Sequence, residues 1–167
     1  NAMSLTQEEM KVLELLYEDA RVTPERAAVM LGMREEDVRA AVDKLEQERG
    51  IVGYPALVNW DKTPIEKVKA VIEVKVTPQR DMGFDAIAAR IYRFDEVTAV
   101  YLMSGAYDLM LEVQAESLRT LANFVSQKLA TIDSVLSTAT HFVLKKYKVD
   151  GVILEEEHAD HRLAVTP

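Results

Sequence analysis

The sequence contains no cysteine. Disulfides, thiolate-held metals and cysteine nucleophiles are excluded together, and a reducing, cytoplasmic setting is the expectation that fits. Glycine and proline are scarce, 6 and 5 of 167 residues, which with an apolar content near one half is the composition of a folded globular chain. No apolar run approaches the ~18 residues a membrane-spanning helix requires, so no membrane is expected among the partners. The first residues lack the basic flank and apolar core of a secretory signal, and Asn1 and Ala2 ahead of Met3 are read as a remnant of expression.

Positive charge is also short. Residues 1–60 hold 7 basic and 12 acidic side chains, a balance of −5; residues 61–151 hold 12 and 12; residues 152–167 hold 1 and 4, a balance of −3. The sum is the net −8 of the chain. Net charge therefore does not draw this protein to nucleic acid, and any DNA contact must come from a local basic face.

What is present is patterned. In "LTQEEM", Thr6 stands at an N-cap with Glu9 three residues on, as in a capping box, and Leu5 and Met10 occupy the staple positions. Val12, Leu13, Leu16 and Tyr17 follow at helical spacing. "VTPERAAVMLG" starts a second helix, with Thr23 as cap, Pro24 at the first turn and Gly32 at the end. A third helix follows at once, its buried face made of Val38, Ala41, Val42 and Leu45. After Gly50, "IVGYPALVNW" reads as a short hairpin or wing. Three helices, a glycine-containing turn and a wing describe a winged helix-turn-helix over residues 4–60.

The third helix opens on Glu35, Glu36 and Asp37. Acids in a first turn meet the positive end of the helix dipole and stabilise it by ~0.3–1 kcal/mol each. Arg34 is a poor N-cap that Asp37 compensates. Glu35, Arg39 and Asp43 share one face and form an ion-pair ladder. The functional reading stays open beside this one: Arg34, Arg39 and Lys44 contact phosphates or guanine, while Glu35 accepts from cytosine.

After a linker, residues 61–67, the period changes. Val68, Ala70, Ile72, Val74 and Val76 alternate as in a half-buried strand. "FDAIAARIYRF" is a helix, "VTAVYLMSG" and "YDLMLEVQA" are strands about a tight turn, "SLRTLANFVSQKLATI" is a helix with Leu118, Leu121, Phe124, Val125 and Leu129 inward, and "SVLSTATHFVLKKYK" is a last strand. The order β-α-β-β-α-β over residues 68–150 is ferredoxin-like. Leu102, Leu109 and Leu111 interspersed with Tyr101, Met103 and Met110 make both faces of the central strands apolar. A second copy, sheet against sheet, is the expected cover. Residues 151–167 form an acidic tail.

"LGMREEDVRAAVDKLE" followed by "GIVGY", then "SGAYDLMLEV", then "STATHFVL" before a basic "KKYK", resemble in this order the Lrp/AsnC family of transcriptional regulators. The resemblance runs from about Leu5 to Lys148. It implies an α+β chain in which the helix from Arg34 to Glu46 reads double-stranded DNA, and residues 50–58 form the wing and lead into the linker. The αβ unit then forms a homodimer, assembling to an octamer, and binds a small effector, usually an amino acid. Gly105, Tyr107 and Asp108 would lie at the effector site, with Thr138 and Thr140 nearby on the last strand, between dimers. Gly105 permits a positive φ and close backbone approach, neighbouring N–H groups suit a carboxylate, and Asp108 an ammonium; a plain hairpin turn and strand packing explain the same residues. The chain departs from the family at Arg34, where Ser or Thr is usual, at Asp37, where Thr is often found, at Ala41, where Arg is common, and at Ser134, where Gly often stands.

No phosphate-cradling glycine loop, nucleophile elbow or HExxH motif occurs, so no enzyme and no cofactor are expected. His141 alternates along its strand like a structural or surface residue. The tail "EEEHADHR" clusters carboxylates with His158 and His161, a solvated run or an adventitious metal ligand rather than a built metal site. The competing functional class is a ligand-sensing interaction protein whose helix-turn-helix no longer reads DNA.

Overall fold

The structure, a computed structural model, describes residues 1–155. The carboxylates and histidines of the tail beyond Glu155 lie outside the described residues. Two compact units divide between Leu57 and Val58.

The first unit is three helices: α1 Gln7–Glu18, α2 Pro24–Leu31 and α3 Glu35–Gln47. Their ends follow the local chemistry of the sequence. Thr6 Oγ1 accepts from the Glu9 N–H and Thr23 Oγ1 from the Arg26 N–H, each satisfying a donor that the first turn leaves without a helical partner. Gly32 ends α2 in the left-handed conformation at φ 64°. Val12, Ala27, Ala28, Val38, Ala41 and Leu45 form the buried core. Small residues on α2 bring it close to α3, as a helix-turn-helix requires.

The expected wing does not form as a hairpin: residues 51–59 carry no strand among the described residues. The residues are strand-like by type, but Gly53 and Pro55 interrupt them. Proline has no N–H for a ladder, and a lone hairpin of this length lacks a third strand to support it.

The second unit is β1 Val68–Val76, α4 Phe84–Ile91, β2 Val97–Leu102, β3 Leu109–Ala115, α5 Leu118–Asn123 continued by a π-helical turn Phe124–Leu129, and β4 Val135–Phe142. The strands lie in the order β2-β3-β1-β4, with β1 antiparallel to both neighbours. Ala70, Ile72, Val74 and Val76 of β1 and Leu109, Leu111, Val113 and Ala115 of β3 form one face, packed on Ile87 and Ile91 of α4 and Leu121, Phe124 and Leu129 of the second helix. Phe94 meets Phe124 edge-on at 5.5 Å. Leu118, expected inward, is 56% exposed; it is the first residue of α5, one turn short of the sheet-facing stripe that Leu121 begins.

The opposite sheet face is mixed rather than apolar. Leu109 and Leu111 belong to the core, and the open face carries Val71, Tyr101 and Met110 together with Glu73, Glu112 and His141. Lys69 pairs with Glu112 at 3.4 Å, and His141 Nε2 lies 3.7 Å from Glu73. A second hairpin, β5 Lys148–Val149 with β6 Val152–Ile153, occupies part of what the sequence pattern assigns to the tail. Asp150 and Gly151 turn it at φ 47° and 80°, the two successive positive values of a type I′ turn. The Asp-Gly pair is the signal for it.

Candidate functional site

The exposed face of α3 presents Glu35, Glu36, Arg39, Ala40, Asp43 and Glu46. Arg34 is the N-cap residue and makes no side-chain cap hydrogen bond. It folds onto Asp37 instead, Nε to Oδ2 at 3.1 Å, which holds the Asp37 carboxyl below its ordinary range. Arg39 meets Glu35 at 2.8 Å and Glu25 of α2 at 2.8 Å. The expected ladder thus has its second carboxylate from α2, not from Asp43. These pairs are solvent-exposed, Arg34 at 76% and Arg39 at 53%, so each is weak and can exchange for a phosphate.

Lys44 differs. Its ammonium meets Glu9 Oε2 at 2.8 Å and donates to the Ser4 carbonyl at 2.8 Å, and the two side chains are only 35% and 18% exposed. It ties α3 to the start of α1, and the hydrogen bond from Lys44 is the main reason the Glu9 carboxyl lies below its ordinary range. The ammonium expected to reach DNA is thus already paired within its own unit. Ala41 is buried at 4%, so the departure there falls on a core position; the exposed neighbour is Ala40. Tyr54, just past α3, donates its hydroxyl to Glu46 at 2.8 Å. Desolvation and that carboxylate push the phenol up to about 12.

In the second unit, Gly105 stands at φ 112° in the turn between β2 and β3, and a Cβ there would meet nothing within 4 Å. Its positive φ is as expected; the close approach is not made by this chain, which leaves room over the backbone. Asp108 Oδ2 accepts from the Val76 N–H at 2.9 Å. That bond holds β1 where the register shifts between Lys75 and Val76. One oxygen of the carboxylate expected to meet an ammonium is therefore occupied structurally. Thr138 and Thr140 pair with Val74 and Ile72 across β1, half-buried on the helix-facing side. Since β3 lies on the other side of β1, a strand separates these threonines from Tyr107 and Asp108, roughly 9–10 Å across two inter-strand spacings. The five residues flank β1 and do not close on one another.

A cleft of about 330 Å³ elsewhere in this unit is lined by Asn59, Asp61, Lys62, Lys145, Lys146 and Leu154. Residues so far apart in the chain give no local pattern, and only the basic "KKYK" signals it. Among the described residues no helix is long and apolar enough to cross a membrane.

Comparison with known proteins bears on both units. The family described as Lrp/AsnC ligand binding domain matches residues 69–153. The chain is 49% identical over 166 residues to the uncharacterized HTH-type transcriptional regulator YugG of Bacillus subtilis, covering 99% of this chain and 100% of that protein. It is 30% identical to the leucine-responsive regulatory protein of Rhizobium meliloti, over 84% of this chain and 89% of that one. The solved structure of Escherichia coli AsnC superposes with a TM-score of 0.68 at 25% identity, over 88% of this chain and 97% of that chain.

Proposed function

Because the chain belongs to the Lrp/AsnC family of transcriptional regulators, we propose that it reads specific duplex DNA through α3 and that an amino acid tunes this binding. Family membership makes it a DNA-binding regulator with a ligand-binding domain, not an enzyme. The observation that carries the finer reading is the union in one chain of a helix-turn-helix, turned at left-handed Gly32, with the matched domain over residues 69–153. Arg34 and Arg39 supply the DNA contacts by exchanging weak internal carboxylate partners for phosphate or guanine, with Glu35 orienting Arg39. The name of the leucine-responsive relative supports an amino acid as effector. The Gly105 turn offers backbone donors to its carboxylate, and the second oxygen of Asp108 suits its ammonium. With β1 between Tyr107 and the threonine pair, Thr138 and Thr140 serve the site of a neighbouring copy, so the effector binds between copies in the cytoplasmic homo-oligomer. Pairing of open sheet faces makes the dimer, and dimers assemble to an octamer.

The test is fluorescence anisotropy with labelled DNA from upstream of the protein's own gene, against an unrelated fragment, at two salt concentrations. Selective binding that weakens with salt and shifts with one amino acid is expected. A second reading, an interaction protein with lost DNA reading, is favoured by one observation: each cation assigned to DNA on α3 already has a carboxylate. Absence of selective binding at low salt establishes that reading instead.

A further inference from the structure

The cleft in the second unit has a defined frame. The 3₁₀ turn Trp60–Lys62 forms one wall, and the segment after β4 and the end of β6 form the others. Backbone bonds hold the walls: the Val143 N–H donates to the Lys69 carbonyl at 2.8 Å and the Leu154 N–H to the Tyr147 carbonyl at 2.9 Å. Asn59 Nδ2 reaches the Leu154 carbonyl at 3.5 Å. A recess of about 90 Å³ continues the cleft toward Trp60, Lys67 and Lys69.

Its charge is one-sided. Among the described residues, five lysines line the two spaces against two carboxylates, Asp61 and Glu155. Lys69 is engaged by Glu112 and Lys145 by Glu155. Among the described residues this leaves Lys62, Lys67 and Lys146 facing Asp61, three charges less one, a balance of +2. Lys67 lies over the Trp60 ring, 5.2 Å from its centroid. The chain's own Glu155 carboxylate pairs with Lys145 on this wall. A zwitterion would leave the balance at +2, whereas a dianion neutralises it.

We propose that this cleft binds a phosphate-bearing ligand, its oxygens held by Lys62, Lys67 and Lys146 beside Trp60. Lysine donates up to three hydrogen bonds from a compact charge and suits phosphate without demanding a fixed angle of approach. The phosphate comes either from a free metabolite or from a DNA backbone.

Trp60 is the only tryptophan, so its fluorescence reports directly on the cleft. The full chain is titrated with inorganic pyrophosphate at constant ionic strength, chloride serving as control. A saturable change in Trp60 emission is expected, weakened about tenfold or more in a Lys62→Gln, Lys146→Gln double variant. Glu155→Gln removes the competing carboxylate and is expected to tighten binding. Displacement of pyrophosphate by random duplex DNA assigns the phosphate to a backbone; persistence of the pyrophosphate signal in its presence assigns it to a free ligand. No saturable change, an undiminished response in the double variant, or weaker binding by Glu155→Gln overturns the proposal.

Discussion

At position 44 a lysine that looks free on a helical wheel is fastened to residues nearly forty positions upstream. Its partners, Glu9 and the Ser4 carbonyl, are invisible to local spacing, which explains why the residue reads as a DNA contact from sequence alone. Lys44→Ala is expected to lower the stability of the first unit by about 1 kcal/mol, leaving the salt dependence of DNA binding unchanged; thermal unfolding and anisotropy separate the two. Tyr54 gives a second residue-scale expectation. Its folded pKa of about 12 exceeds the ordinary 10.0. The neutral phenol therefore contributes stability that is complete below pH 10 and lost as pH rises through about 12. Ultraviolet titration should show one late tyrosine, and Tyr54→Phe should remove it. Thr6, Thr23 and Gly32, by contrast, act where the sequence places them, because capping depends on neighbours within four residues.

Elements built on local chemistry were legible, and those needing distant partners were not. The alternation of β1 and β3 maps directly onto burial, whereas the run after Gly50 has strand-forming residues and no strand to pair with. The hairpin turned by Asp150 and Gly151 carries a dipeptide signal, but the charge pattern merges it with the tail and the sequence reading misses it. For α3, replacing Glu35 and Glu36 by Gln is expected to strengthen DNA binding, since Arg39 loses one of its two carboxylates. The helix should lose ~0.3–1 kcal/mol per acid removed. Weaker DNA binding in anisotropy would mean that the acids read bases. In the β2–β3 turn, Gly105→Ala places a side chain at φ 112° with nothing to collide with. The expected loss is about 1–3 kcal/mol from backbone strain alone, measured by denaturant unfolding. The sequence supplies the candidate effector residues only as a list; their division by β1 follows from the strand order, which no spacing conveys.

For the whole molecule, the proposed assembly rests on the open sheet face. Tyr101→Lys with Met110→Lys should reduce the mass seen by light scattering to that of a monomer while leaving the core of the second unit folded, since neither residue faces it. Persistence of the oligomer would place the contact on another surface. The charges on that face have a consequence beyond holding copies together. Lys69 beside Glu112, with Glu73 two residues along β1 from Val71, prints a pattern of both signs that a two-fold copy would have to match against itself. A wholly apolar face would accept any chain of similar build; a patterned one penalises every mismatched charge. If copies pair through this face as proposed, the pattern would insulate the protein from other regulators of this architecture, so that circuits built from near-identical parts do not exchange subunits.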